Sequence, residues 1–178
     1  MAVIVTITFH GPFRVVTADG RPGINDAVDP DELLPASALK GVMRQAADVL
    51  FPQQTTLTEA VFGTPRTASP WAWGPVEFAT TPCISVRARG SIDPETGTAK
   101  DDHLMFADEV WATTASFEIS RTAYLERDTT GRHEALLVCA SAGVHALGAD
   151  RRRGLGWVTL TPSVPVTEDL LDLLGVPV

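Results

Sequence analysis

The sequence has little positive charge, few cysteines and no long hydrophobic run. Lysine and arginine number 14 against 22 aspartates and glutamates, which gives a formal net charge of -8. This balance argues against a lone chain that binds free nucleic acid tightly. No apolar run approaches the roughly 20 residues that a membrane-spanning helix needs, and the first residues lack the basic segment of a signal peptide. We therefore expect a cytoplasmic protein with no membrane partner.

The cysteines and histidines show no metal-ligand spacing. Cys83 and Cys139 both lie in apolar stretches, so we expect buried free thiols in a reducing compartment. The four histidines are scattered and predict scaffold or surface roles, and no metal site follows from them. A length of 178 residues predicts one domain with a sizeable core.

The distribution of charge is more informative than its sum. Acidic clusters are formed by Asp26, Asp29, Asp31 and Glu32, and by Asp93, Glu95, Asp101, Asp102, Asp108 and Glu109. Basic clusters are formed by Lys40 and Arg44, by Arg87 and Arg89, and by Arg151 to Arg153. A basic stripe on an acidic body is still able to bind a phosphate backbone.

The stretch ADRRRGLGW at residues 149–157 is the strongest functional signal. Three arginines, Arg151, Arg152 and Arg153, run into Gly154-Leu155-Gly156 between a predicted helix and a predicted strand. Glycines allow positive φ and close backbone approach, exposed turn amides bind anions, and guanidinium groups match phosphate oxygens. The pattern predicts a site for a polyanion such as a nucleic-acid backbone. An ordinary helix-to-strand turn with solvated arginines is the alternative.

A second basic pair lies on a predicted helix over residues 37–50. Ser37 is a candidate N-cap, and the apolar residues that follow keep the helical period. Lys40 and Arg44 share one face in the first half, where cations gain nothing from the helix dipole and instead suit an anionic ligand. Two solvated side chains are the alternative. Gly41 predicts a close backbone approach.

The order of predicted elements indicates the fold class. Strands are predicted over 3–9, 76–80, 83–89, 117–125 and 157–160, and helices over 37–50, 135–147 and 168–175. The remaining segments are predicted as a long loop over 14–34 with a turn at Asp19-Gly20, a connection over 53–75, an acidic excursion over 90–108 and a turn over 127–132. This order of elements predicts an α+β fold with a ferredoxin-like (RRM-like) β-α-β-β-α-β core, in which both helices lie on one face of the sheet. A thumb-like insertion is predicted between the central strands.

Three motifs in this order resemble the RAMP superfamily of CRISPR–Cas proteins, most of all the backbone subunits of type III effector complexes. LPASALKGVMR at residues 34–44 is similar to the segment that opens the family's first helix. LGADRRRGLGWV at residues 147–158 is similar to the family's glycine-rich loop. GTAKDDHLMFADEVWATTASFEI at residues 97–119 resembles the stretch in which a central insertion leads into a strand.

The resemblance implies a single RAMP domain that holds CRISPR RNA. Its core is expected over about 1–80 and 115–162, its insertion over about 81–114, and a C-terminal tail over 163–178. The expected partners are CRISPR RNA, target RNA and other RAMP-type subunits, including copies of itself. Because the guide sequence varies, phosphate and sugar contacts suffice. The expected contacts come from Ser37, Lys40, Arg44, Arg87, Arg89, Arg151, Arg152, Arg153, Gly154 and Gly156, with no cofactor needed for binding.

The acidic loop before the first helix carries a second implication. In type III backbone subunits that cleave target RNA, an aspartate in this loop is required. Asp26 matches that position and Asp29 is the second choice, acting on the ribose 2′-OH or through a divalent metal, Mg²⁺ or Mn²⁺. The segment between Asp26 and the helix is shorter than in the family pattern, and both aspartates also suit turn positions.

Two other functions stay open from the sequence. One is a stand-alone metal-dependent endoribonuclease that processes precursor CRISPR RNA, although no histidine lies in a recognised acid–base arrangement. The other is a structural assembly subunit without RNA binding, which the net charge favours. Trp71, Trp73 and Trp111 are candidates for base stacking or for packing.

Overall fold

The computed structural model describes residues 2–16, 21–100 and 103–175. Its elements in chain order are β1 (Val3–Phe9), α1 (Ala36–Leu50), α2 (Thr55–Phe62), β2 (Trp71–Trp73), β3 (Glu77–Phe78), β4 (Cys83–Arg89), β5 (Met105–Trp111), β6 (Thr114–Arg121), α3 (Arg127–Ala142), a 3₁₀ turn (Arg151–Arg153), β7 (Val158–Pro162) and α4 (Glu168–Leu173). The predicted turn at Asp19-Gly20 and the acidic residues Asp101 and Asp102 lie outside the described residues. Within the described ranges, no helix is both long and apolar enough to cross a membrane.

The larger sheet has the strand order β2-β6-β1-β7, with β3 also paired to β6. All of these pairs are antiparallel. β2 and β3 lie along the same edge of β6, and the break between them falls at Gly74 and Pro75. The Gly74 amide still donates to the Glu118 carbonyl at 2.8 Å, whereas Pro75 has no amide to donate, which ends the pairing there.

One face of this sheet forms the core and the other is polar. Along β1, Val3, Val5 and Ile7 are fully buried, because alternate side chains of a strand point to one face. Helices α1 and α3 pack on that face. The opposite face carries the hydroxyl-bearing residues of β1, β6 and β7, which are Thr6, Thr8, Thr114, Ser116, Ser120, Thr159 and Thr161. The result is a mixed α/β fold with both helices on one side.

β4 and β5 form a separate two-stranded antiparallel sheet. It joins the body through β5, where Phe13 pairs with Val110 and Asp26 pairs with Ala107. The predicted strand over 83–89 is therefore present, and it pairs within the expected insertion. The expectation that Cys83 is a buried thiol is wrong, because β4 is an edge strand and leaves Cys83 exposed, whereas Cys139 is buried.

Several helix boundaries differ from the predictions. The predicted turn over 127–132 is the first part of α3, which starts at Arg127 with Asp128 in its first turn, where a carboxylate suits the helix dipole. α3 ends at Ala142 and not at Gly148. Gly143, which follows it, lies against the Leu50 side chain and has no space for a side chain of its own. α1 begins one residue earlier than predicted, and Ser37 makes no capping hydrogen bond.

Some elements were not predicted, and others lie at shifted positions. α2 lies inside the predicted connection over 53–75, because eight residues carry too little periodicity to distinguish a helix. β5 starts within the predicted excursion over 90–108, since its acidic residues mask a strand pattern. The predicted strand over 117–125 is β6, shifted toward the N-terminus. The short C-terminal helix is present as α4.

A buried histidine joins α3 to the sheet. His133 is 3% exposed, and its Nδ1 accepts a hydrogen bond from Trp71 Nε1 at 3.1 Å. A protonated ring has no acceptor nitrogen, so this bond requires neutral His133. Burial, followed by the charge of Arg132, lowers the pKa of His133.

We predict that this histidine makes folding sensitive to acid. Its pKa is lower in the folded chain than in the unfolded chain, so the unfolded chain takes up a proton first as the pH falls below about 6.5. The free energy of unfolding should then fall by up to about 1.4 kcal/mol per pH unit from this group alone. His133→Asn retains an acceptor for Trp71 and removes the titration. Urea unfolding at pH 7.5 and 5.5 should show a steeper loss in the wild type, and equal losses in both proteins would contradict the assignment.

Candidate functional site

The stretch ADRRRGLGW forms an exposed turn between α3 and β7. Asp150 has φ 54° and Gly154 has φ 86°, both left-handed, and they bracket the 3₁₀ turn of three arginines. Arg151, Arg152 and Arg153 are all exposed, with 76% of the Arg153 side chain accessible. The turn thus presents three guanidinium groups to solvent.

The glycines at this turn have different surroundings. A Cβ on Gly156, at φ 74°, would lie 1.9 Å from the Leu147 carbonyl oxygen. A Cβ on Gly148 would lie 2.2 Å from the Arg14 carbonyl oxygen. A Cβ on Gly154 would meet open space. Gly148 and Gly156 therefore let backbone segments approach closely, whereas Gly154 serves only the reversal of the chain.

Four amides at the turn donate to backbone carbonyls of the same chain. Leu147 N bonds to Gly156 O at 2.9 Å, Ala149 N to Arg14 O at 2.8 Å, and Gly156 N to Pro12 O at 2.8 Å. Arg153 N closes the turn on Asp150 O at 2.7 Å. For these four amides, the expectation that the turn binds an anion through its backbone is corrected, because they fix the loop.

Asp150 is the centre of a charge cluster at the start of the turn. Its carboxylate accepts hydrogen bonds from Arg14 Nη2 and, at 2.6 Å, from Arg89 Nη1, and it lies 3.8 Å from Arg153 Nη1. Burial alone would raise the pKa of Asp150. The hydrogen bond and charge of Arg89, with the charges of Arg14 and Arg153, outweigh burial and lower that pKa below its ordinary value.

Arg14 is the functional-site residue that sequence reasoning missed. It is fully buried, and its Nη2 also lies 3.3 Å from Asp26 Oδ2. Its Nε and Nη1 have no hydrogen-bond partner within residues 2–16, 21–100 and 103–175. Arg14 thereby joins the acidic loop to the basic turn. The available signal was an arginine between Phe13 and Val15, inside an apolar segment where a charge is expensive to bury unless it is paired.

The two candidate catalytic aspartates have different environments. Asp26 runs beside β5, where Asp108 N donates to Asp26 O at 2.9 Å, and its side chain is 36% exposed. Asp29 Oδ1 accepts the Asp31 amide at 2.9 Å, which is the geometry of an Asx turn. Among the described residues, no group of three or more histidine, cysteine or acidic side chains is placed to hold a metal ion.

Helix α1 lies against the turn through Gln45. Arg151 Nη1 donates to Gln45 Oε1 at 3.2 Å. One residue earlier, Arg44 Nη1 donates to the Gly63 carbonyl at 3.1 Å. Lys40 Nζ lies 5.0 Å from the centre of the Trp73 ring, and burial followed by the charge of Arg44 lowers the pKa of Lys40. The Lys40–Arg44 pair thus lies on the flank of α1 that faces α2 and β2.

Two further expectations about α1 are resolved by its surface. Ser37 is exposed in the first turn of the helix, close to the N-terminal end. The expected close backbone approach at Gly41 is wrong, because a Cβ there would meet open space.

Trp73 stacks on Phe62, and Trp71 is buried, so both serve packing within the chain. Trp111 is 50% exposed.

Arg87 and Arg89 both pair with acidic residues of the structure. Arg87 Nη1 donates to Glu109 Oε1 at 3.2 Å, and Arg89 Nη2 lies 3.8 Å from the same oxygen. Glu109 and its neighbour Asp108 are buried, and Asp108 pairs with Arg21 at 2.7 Å. Part of the predicted acidic cluster is therefore neutralised inside the structure.

The family model for the RAMP superfamily matches residues 6–159. The chain belongs to the RAMP superfamily. Among solved structures, it is similar to a chain of the type III-B Cmr-beta complex in its apo state, with a TM-score of 0.72, 12% sequence identity and coverage of 93% of this chain and 98% of that chain.

It is also similar to a chain of type III-B Cmr-beta bound to cognate target RNA, with a TM-score of 0.63 and 17% identity. That match covers 89% of this chain and 58% of that chain, so this chain spans little more than half of that relative's length. At such low sequence identities, the two structural matches show a shared fold and nothing more. No curated protein matches the sequence.

We predict that the two glycines of the turn differ in their contribution to stability. Gly154→Ala should cost about 1–2 kcal/mol, because only its positive φ is unfavourable. Gly156→Ala should cost about 3 kcal/mol or more, because the methyl group also overlaps the Leu147 carbonyl. Urea midpoints at constant m-value measure both. Equal losses would mean that the close approach at Gly156 does not constrain the fold.

Proposed function

We propose that this chain is an RNA-binding backbone subunit of a type III-like CRISPR–Cas effector complex and that it holds CRISPR RNA. The observation that carries the proposal is the 3₁₀ turn of Arg151, Arg152 and Arg153, which is exposed and lies beside α1. Three guanidinium groups on one short turn suit consecutive phosphates of a strand. Such contacts tolerate any guide sequence.

We propose that the larger sheet with α1 and α3 is a ferredoxin-like core. The strand order β2-β6-β1-β7, with helices on one face, supports this assignment. In this proposal the core covers about 1–80 and 115–162, the thumb-like insertion covers about 81–114, and the tail covers 163–178. The separate pairing of β4 with β5 supports the insertion.

Charge favours the turn over the open sheet face as the path of the RNA. Glu77 and Glu118 line a cleft at the β2–β3 edge of that face, and carboxylates repel phosphates. Gly154, at the end of the basic turn, and Ser37, in the first turn of α1, are both exposed and are proposed as further RNA contacts. Lys40 and Arg44, which are engaged with Trp73 and Gly63, are proposed as contacts on the other flank of α1.

We further propose that RNA binding belongs to an assembly with other RAMP-type subunits or copies of this chain. A net charge of -8 disfavours tight binding by a single copy. Repeating the basic turn along an assembly would place successive positive sites on one strand. If changing the three arginines of the basic turn leaves RNA binding unaffected, the chain is instead a structural subunit that does not bind RNA.

Replacing Arg151, Arg152 and Arg153 together by alanine should weaken binding of single-stranded RNA. Loss of three phosphate contacts should reduce the slope of log K against log salt by about 2. The matched control changes Arg66, Arg121 and Arg127 to alanine, because these arginines are exposed elsewhere and carry the same charge. Filter binding of the assembled complex at several salt concentrations measures both variants. Equal binding by the two variants would remove the proposed function.

We also propose that Asp26 acts in cleavage of target RNA, as the base that accepts the proton of a ribose 2′-OH. The Asp26 side chain is partly exposed, and Arg14, which contacts both Asp26 and Asp150, places it beside the basic turn. These features favour Asp26 over Asp29, whose carboxylate closes a local turn. A requirement for Mg²⁺ or Mn²⁺ stays a prediction. RNA phosphates and water would supply most ligands of such an ion, with Asp26 as its protein ligand.

Asp26→Asn should slow target-RNA cleavage by the assembled complex about 10²–10⁴-fold while guide binding persists. Asp31→Asn, in the same loop and exposed, is the control and should cleave normally. Gel assays of labelled target RNA with excess complex measure the rate. Wild-type cleavage by the Asp26 variant would exclude the catalytic role and leave the RNA-binding proposal intact.

A further inference from the structure

We infer that Asp150 and Arg89 are positioning residues that fix the direction of the basic turn, and that Arg89 affects RNA binding through Asp150 and not by contacting RNA. This inference rests on the proposed RNA-binding function. It reassigns Arg89, which its sequence pattern groups with Arg87 as an RNA contact.

Asp150 holds a conformation that most residues avoid. It has φ 54° and is the single non-glycine residue with positive φ among residues 2–16, 21–100 and 103–175. Aspartate tolerates this region better than most residues, yet other contacts are needed to make it the dominant conformation. The Asp150 carbonyl accepts the Arg153 amide at 2.7 Å. The Asp150 backbone therefore sets where the three arginines point.

The Asp150 carboxylate is bound on its buried side by Arg14. Arg14 is fully buried, so its side chain has no contact with solvent. The Arg14 carbonyl accepts the amide of Ala149 at 2.8 Å, while Arg14 Nη2 donates to Asp150. Two adjacent residues at the head of the turn are thus fixed to one buried residue, by backbone and by side chain.

Arg89 holds the same carboxylate from the side. Its Nη1 donates to Asp150 at 2.6 Å, and its Nη2 lies 3.8 Å from the buried carboxylate of Glu109. Only 25% of the Arg89 side chain is exposed, whereas 61% of the Arg87 side chain is exposed. Among the described residues, Arg87 pairs with Glu109 alone. Arg89 uses two nitrogens at once to connect β4 and β5 with the turn, a geometry that lysine cannot reproduce.

The test compares Arg89→Lys with Arg87→Lys. Both changes retain the charge, so the electrostatic part of a direct phosphate contact would survive either one. A bridge that needs two nitrogens is lost only in Arg89→Lys. We expect Arg89→Lys to weaken RNA binding about tenfold and Arg87→Lys to bind like the wild type. Hydrogen exchange without RNA should be faster at the Ala149, Arg153 and Gly156 amides in Arg89→Lys alone.

A double-mutant cycle with Asp150→Asn separates the two routes to lower affinity. If Arg89 acts through Asp150, Arg89→Lys should have no further effect on RNA binding in the Asp150→Asn background. Should Asp150→Asn fail to fold because buried Arg14 keeps only Asp26 as a carboxylate partner among the described residues, the comparison of Arg89→Lys with Arg87→Lys decides the matter. Wild-type exchange and binding by Arg89→Lys, or effects that multiply in the cycle, would overturn the inference.

Failure of the inference and failure of the proposed function give different results. In one case, hydrogen exchange is faster in Arg89→Lys but the triple arginine change leaves RNA binding unaffected. That result would remove the proposed function, and with it the role of Arg89 in binding. Loss of RNA binding in the triple variant, together with unchanged exchange in Arg89→Lys, would overturn the positioning role alone.

Discussion

The ion pair between buried Arg14 and Asp150 is the constraint on which the rest of the site depends. A buried guanidinium is tolerated only when carboxylates compensate its charge, and removing one partner of such a pair is strongly destabilising. Arg14 contacts Asp150 from the basic turn and Asp26 from the acidic loop. These loops are far apart in sequence, and this single residue brings them together. The direction of the arginines at 151–153 follows from that contact.

The same constraint explains how an acidic chain presents a basic surface. Arg14 and Arg89 share Asp150, and each has a further carboxylate nearby, so their charges are compensated within the structure. The further carboxylates are Asp26 for Arg14 and Glu109 for Arg89. Arg151, Arg152 and Arg153 project outward. Within the described part of the chain, their side chains make the 3.8 Å approach of Arg153 to Asp150 and one hydrogen bond from Arg151 to Gln45. Local placement therefore decides where a polyanion binds, and the net charge decides how much a single copy contributes.

The sequence predicted those parts of the molecule that depend on local pattern. Alternation along residues 3–9 and helical periodicity over residues 37–50 were sufficient for β1 and α1, and the glycines of the turn predicted its positive φ values. The apolar neighbours of Arg14 signalled its burial, but its role could not be predicted, because its partners Asp26 and Asp150 lie more than ten and more than a hundred residues away. α2 was too short to show a period. The amides of the turn were misjudged because their acceptors, including Pro12 and Arg14, become neighbours only on folding.

The most direct measurement is an electron cryo-microscopy structure of this chain assembled with a guide RNA. We predict phosphates of the guide within about 4 Å of the guanidinium groups of Arg151 to Arg153, with the Asp150–Arg89 and Asp150–Arg14 contacts intact beneath them. A guide that crosses the open face of β1, β6 and β7, with the basic turn left in solvent, would contradict this account.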